Sequence, residues 1–93
     1  MAIDTWERRP VLRTGIEYRV LDDLSSMVVN GESGDAHALN PVGSAILERC
    51  DGTFTVHQIV LEITDIFDAP QERAEQDVVQ FLGDLSARSM IDW

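Results

Sequence analysis

The stretch Leu39-Asn40-Pro41-Val42-Gly43-Ser44-Ala45-Ile46-Leu47-Glu48-Arg49-Cys50-Asp51-Gly52-Thr53-Phe54-Thr55-Val56-His57-Gln58-Ile59-Val60 contains two helix starts with a helix stop between them. Asn40 can cap a helix whose first residue is Pro41, because proline's fixed φ suits that position and its missing N–H is not needed there. The helix predicted from Pro41 to about Cys50 ends at Asp51-Gly52, where glycine can take the left-handed conformation that closes a helix. Thr55 and Gln58 have the spacing of a capping box and open a second helix. Val56, Ile59, Val60, Ile63 and Phe67 then fall on one stripe, with His57, Glu62 and Asp65 off it.

Downstream, Asp68-Ala69-Pro70 interrupts the chain, and a third helix is expected from about Gln71 to Ser89. Its apolar stripe is Ala74, Val78, Phe81, Leu82 and Leu85. Another face carries Arg73, Asp77, Gln80, Asp84 and Arg88, in which Arg73–Asp77 and Asp84–Arg88 are i,i+4 neighbours of opposite charge. Met90 to Trp93 reads as a short apolar tail packed back on the core. Upstream, the β-branched runs Ile16–Leu21 and Ser26–Val29 predict two strands. After the turn cluster Asn30-Gly31-Glu32-Ser33-Gly34-Asp35, Ala36–Leu39 predicts a third. Met1–Arg9 has no period and reads as a flexible N-terminal arm before a single domain, 10–93. The expected class is α+β: a winged-helix-like, three-stranded antiparallel sheet followed by three helices, which cover one face of a sheet too small to stand alone.

A chain of 93 residues can bury one modest core, with little room for an internal active site. Seventeen acids and seven bases, all of them arginine, give a net charge of −10, which repels nucleic acid and favours a basic or neutral ligand. A lone cysteine, Cys50, forms no internal disulfide and fits a reducing, cytoplasmic setting. No signal peptide and no apolar run of bilayer length is expected.

Chemistry finds little footing. His37, His57 and Cys50 lack metal-ligand spacing and read as a strand histidine, a surface histidine and an inert core thiol. No Ser or Cys stands beside a base and an orienting acid. Neither catalysis nor a cofactor is expected. The acidic character invites comparison with acyl carrier proteins, but Asp23-Leu24-Ser25-Ser26-Met27 places Ser26 before a strand-like run and not at a helix start. A winged-helix DNA-binding regulator suits the order of elements. However, Glu72, Glu75, Asp77 and Asp84 load the helix that would have to enter the groove.

The quoted stretch resembles the PqqD family, whose members carry Leu-Asn, a small residue before Ile-Leu, Asp-Gly-Thr and a Val…Ile-Val helix start. Phe67-Asp68, the run Asp77-Val78-Val79-Gln80-Phe81-Leu82-Gly83-Asp84-Leu85, and Met90-Ile91 resemble the family's closing helix and hydrophobic end. The resemblance covers about Pro10 to Ile91. It implies a non-enzymatic recognition element for ribosomally made, modified peptides (a RiPP recognition element). Such a peptide chaperone binds a precursor's leader and presents the rest to a modifying enzyme. In pyrroloquinoline quinone (PQQ) biosynthesis that enzyme is a radical S-adenosylmethionine (radical SAM) protein. Quinone-pathway members tend to carry a Leu-Leu-Tyr-Pro-Glu-Gly-like passage between the second and third strands. This chain has Met27-Val28-Val29-Asn30-Gly31-Glu32-Ser33-Gly34-Asp35, more like domains of other natural product pathways, including the lasso peptides with their protease and cyclase partners.

In the family the leader adds as a strand to the edge of the third strand and packs against the third helix. The resemblance therefore implies peptide contacts from Ala36, His37, Ala38 and Leu39 on the strand, and from Arg73, Asp77, Val78, Gln80, Phe81 and Asp84 on the helix. Unpaired backbone groups bind an extended peptide whatever its sequence, so specificity falls to the side chains beside them. Leu39, Val78 and Phe81 lie on apolar positions and read first as core. The acids suggest a leader with Lys or Arg near Asp77 or Asp84. The same exposed edge would also allow a homodimer.

Overall fold

At the centre of the main sheet lies β3 (Ser26–Asn30), paired antiparallel with β2 (Ile16–Val20) on one side and β4 (Ala36–Leu39) on the other. The structure is a computed structural model and describes residues 4–22 and 25–93. Alternation along the strands separates the two faces. Tyr18, Val28 and His37 stand in one cross-strand row, and Val28 and Leu39 are buried under the helices. Ala36 and Ala38 point to the other face and are exposed. The β3–β4 connection is set by Asn30, whose Oδ1 accepts from the N–H groups of Glu32 and Ser33, and by Gly34 at φ 79°.

Helix α1 (Pro41–Glu48) begins as the sequence predicts: Asn40 Oδ1 accepts from the N–H of Gly43 at 2.7 Å. It ends before Arg49 and Cys50, which form a closing turn. Helix α2 (Val56–Phe67) carries both arms of the capping box, Gln58 N–H to Thr55 Oγ1 and Thr55 N–H to Gln58 Oε1. It closes at Asp68, which takes the left-handed conformation at φ 50°. Helix α3 (Gln71–Ala87) packs mainly on α2. The core joins Ile46 and Leu47 from α1, Val56, Ile59, Val60 and Ile63 from α2, and Ala74, Val78, Leu82 and Leu85 from α3. Met90 and Ile91 close it from the C-terminal tail.

The class is α+β, with the strand and helix order read from the sequence, plus one addition. β1 (Val11–Leu12) pairs antiparallel with β5 (Ile91–Asp92) in a second, two-stranded sheet that ties the two ends of the domain together. Of the segment expected as an arm, Met1–Ile3 lie outside the described residues. Thr5–Glu7 forms a 3-10 turn, and Arg8 links to the C-terminus by a hydrogen bond from Nη1 to the Trp93 carbonyl. Among the described residues no helix is long and apolar enough to cross a membrane.

Candidate peptide-binding groove

The hydrogen-bond alternation of an antiparallel ladder decides which backbone groups of β4 are free. Gly31 N–H donates to the Gly15 carbonyl, and Leu21 N–H to the Ser25 carbonyl, so Met27 and Val29 direct their backbone groups toward β2. Ser26, Val28 and Asn30 therefore bond to β4, in agreement with Asn30 N–H donating to the Asp35 carbonyl at 2.8 Å. On β4 this commits His37 and Leu39 to the ladder. It leaves the N–H and C=O of Ala36 and Ala38 directed out of the free edge.

Beside that edge runs a trough. One cavity of about 300 Å³ lies between the start of α1 (Asn40, Val42, Gly43) and the α3 residues Arg73, Asp77, Gln80, Phe81 and Asp84. A second, of about 260 Å³, lies between His37, Ala38 and Leu39 of β4 and Phe81, Asp84 and Leu85 of α3 with its capping residue Arg88. Asn40, Phe81 and Asp84 line both, so the two form one depression along α3. Its floor is tight: a Cβ on Gly43 would sit 3.0 Å from the Phe81 ring, so glycine is what lets α1 and α3 approach here.

Most of the residues singled out from the sequence meet in this trough. Ala36 stands on the open edge beside it. Leu39 forms floor at 9% exposure, whereas Val78 is wholly buried and lies beneath it as core. Phe81 sits at the border of the apolar stripe and is half-buried, with its ring between the two cavities. Asn40, Val42, Gly43, Leu85 and Arg88 also line the trough, and sequence reasoning missed them as site residues. The Asn40-Pro41 cap holds the signal for the first of these, since a helix beginning directly after β4 must place its first turn beside the strand's end.

The charges do not pair as the sequence suggests. Arg73 and Asp77 do meet, Nε to Oδ2, at 3.5 Å. Asp84 and Arg88, at the same spacing, do not. Arg88 Nη1 lies instead 2.9 and 3.1 Å from the two ring nitrogens of His37. Nearly equidistant from two nitrogens whose lone pairs diverge, the guanidinium rests against the imidazole ring and not in line with one lone pair. Asp84 is exposed, and its carboxylate has no partner among the described residues.

Away from the trough, Cys50 is buried and its Sγ donates to the Ile46 carbonyl at 3.4 Å. Burial first, and the neighbouring Asp51 charge second, push its thiol up to about 12. Hydrogen bonds from Thr53 hold the Asp51 carboxyl below the usual carboxylate range. Ser26 is 4% exposed within β3, no place to tether a carrier arm. Among the described residues no cluster of His, Cys, Asp or Glu has the makings of a metal site.

The fold and the trough together define a small α+β domain whose unguarded strand edge lies open beside a helix. Residues 25–91 match the family model "Coenzyme PQQ synthesis protein D (PqqD)", and the chain belongs to that family. A PqqA binding protein from Rhizobium meliloti (strain 1021) is 33% identical over 57 residues, an alignment covering 61% of this chain and 58% of that protein. The matched region thus spans less than two-thirds of that relative's length. In fold the chain is similar to TbiB1 in complex with the TbiA(beta) leader peptide, at TM-score 0.78 and 20% identity, covering 88% of this chain and 94% of that one. It is equally similar to a lasso peptide synthetase B1 complexed with the leader peptide, at TM-score 0.77 and 20% identity, covering 91% and 99%.

Proposed function

We propose that the chain binds the leader of a ribosomally made precursor peptide as a strand added to β4, and presents the rest of the peptide to a modifying enzyme. The observation that carries this reading is the outward N–H and C=O of Ala36 and Ala38 beside the trough lined by β4 and α3. Family membership, the name of the Rhizobium relative and the leader peptides in both similar structures support it. Ala36 and Ala38 supply backbone bonds, and His37, Leu39, Arg73, Asp77, Gln80, Phe81 and Asp84 form the walls. Val78 acts from below, by holding α3 in place.

On this reading the domain spans 10–93, does no chemistry itself and works in the cytoplasm. Its partner enzyme is a radical SAM protein if the pathway makes a quinone cofactor, or a protease and cyclase if it makes a lasso peptide. A homodimer through β4 would compete with the peptide for the same edge.

Amide hydrogen exchange on the chain with and without a candidate leader peptide tests the reading. The amides of Ala36 and Ala38 should gain protection, because edge groups acquire partners. Protection confined to Ile16–Val20 would move the binding edge to β2 and sink the assignment. A gel shift at low salt, where a DNA binder binds if anywhere, should show no complex.

A further inference from the structure

We infer that Asp84 selects a positively charged side chain in the leader, and that His37 is a positioning residue that keeps Arg88 from neutralising it. The inference rests on the leader-binding reading above and adds what that leader must carry.

Two acid–base pairs have the same i,i+4 spacing, Arg73–Asp77 within α3 and Asp84–Arg88 across its C-terminal cap, yet only the first closes. Arg73 and Asp77 meet at 3.5 Å. Arg88 caps α3 one residue past its end, but its N–H still donates to the Asp84 carbonyl at 3.2 Å, so its backbone remains within i,i+4 reach of Asp84. What separates them lies on another element: His37, in β4, takes Arg88 Nη1 at 2.9 Å. The guanidinium is thereby held at the imidazole ring and away from the carboxylate. Asp84 is left without a partner among the described residues, at the junction of the two cavities, where an added strand must pass.

The surroundings suit the stem and head of a Lys or Arg side chain. The half-buried Phe81 ring offers apolar surface to the methylenes and a π-face to the cation. The Asn40 side chain gives further polar surface, although its Oδ1 already accepts from Gly43. Asp77 is the poorer receptor, because Arg73 already compensates it. The net charge of −10 adds a long-range pull of the same sign.

The test uses the intact chain and a display library of fixed-length random peptides. Clones are kept if Ala38→Pro weakens their capture, which confines the result to the β4 edge. Among them, Lys or Arg should be enriched at one position. Synthetic peptides with Lys at that position should lose about tenfold in affinity on Asp84→Asn, and much less on Asp77→Asn, as expected of a partly desolvated charge contact and of an already paired one. His37→Ala removes the ring that holds Arg88. It should lower affinity for the Lys peptides severalfold with little change for Met counterparts, and adding Arg88→Gln should restore it. A role confined to folding would weaken both peptides equally and would show no rescue.

Edge-binding peptides without a preferred basic position, or a Lys preference unchanged by Asp84→Asn, would overturn the inference and leave strand addition standing. A library yielding no peptide sensitive to Ala38→Pro would overturn the leader-binding reading, and this inference with it.

Discussion

The two edges of the main sheet are built from the same chain in opposite ways. On β2, Glu17 and Arg19 are exposed and joined at 2.6 Å, the Ile16 N–H is taken by the Arg13 carbonyl, and the Tyr18 hydroxyl ties the strand to Ser44 and Glu48 of α1. On β4 the exposed side chains are the methyl groups of Ala36 and Ala38, and the histidine between them is turned inward to Arg88. Proteins blunt a free edge with charge, with capped backbone groups or with a covering element. β2 carries the charges and has one outward N–H taken, that of Ile16, whereas among the described residues β4 shows neither device. A strand left bare beside a trough can accept an added strand, which is the role proposed for β4, and the difference between the edges is open to measurement.

The largest expected effect tests whether edge and core are separable. Ile63 is 1% exposed in the middle of α2 and belongs to neither edge. Ile63→Ala should cost about 2–5 kcal/mol in urea unfolding, from lost transfer energy and the cavity left behind. Peptide affinity per folded molecule should stay unchanged. An affinity that fell in step with stability would mean that β4 is held open only by strain from the core.

Next comes alkaline pH, acting through α1, which abuts both edges. The Cys50 thiol is raised from its ordinary 9.0 to about 12, so the folded state favours the neutral form. The stabilisation is full below pH 9, where the thiol is neutral folded or unfolded. It is lost as the pH climbs through about 12, since only the unfolded chain ionises freely in that window. The loss should reach a few kcal/mol, with a ceiling of about 4 kcal/mol at the free-energy equivalent of each tenfold change in acidity. Cys50→Ala should flatten that part of the stability–pH curve. Rapid labelling of the folded protein by a thiol reagent at pH 8 would contradict the burial on which this rests.

A third measurement addresses the edges directly. Ala38→Pro removes one outward N–H from β4 and should weaken a leader peptide tenfold or more, one lost hydrogen bond plus the ring's intrusion on the added strand. Val20→Pro does the same to β2, where Val20 also faces outward and is 63% exposed. It should change affinity less than twofold. Equal losses, read by calorimetry, would erase the distinction between the edges.

Much of this architecture is legible in the order of residues alone. The caps at Asn40 and at Thr55 with Gln58 are local devices, each written within four residues, and both appear where their side chains require. The bounds of β4 are equally readable, because a turn cluster and a capped proline enclose it. The β1–β5 sheet is not, since two-residue strands such as Val11–Leu12 and Ile91–Asp92 leave no period to detect and meet only across the length of the domain. The trough is half legible. Spacing places Asp77 and Asp84 on one helix face with Phe81 on the neighbouring stripe, but that Arg88 turns to His37 and not to Asp84 involves a residue of another element. Sequence spacing states which partners are within reach; the tertiary competitor chooses among them.

The smallest change in stability carries the sharpest test of why β2 is shut. Glu17 and Arg19 are more than half exposed, and such pairs contribute at most about 1 kcal/mol. Threonine suits a strand, so Glu17→Thr with Arg19→Thr should leave unfolding within that margin. Association should change instead. A molecule with one open edge can pair through β4 and stop at a dimer, because that contact consumes the edge in both copies. A molecule with two open edges can continue, β2 to β2 and β4 to β4, into longer assemblies. Sedimentation of the double variant at rising concentration should therefore reveal species beyond a dimer that the natural chain does not form. A saturating leader peptide, by occupying β4, should cap them at dimers joined through β2. If the double variant sediments as the natural chain does, the charges are not what closes β2. The closure would then fall to the Ile16–Arg13 bond and the Tyr18 tie to α1, and the contrast between the edges would be one of backbone groups already satisfied rather than of charge.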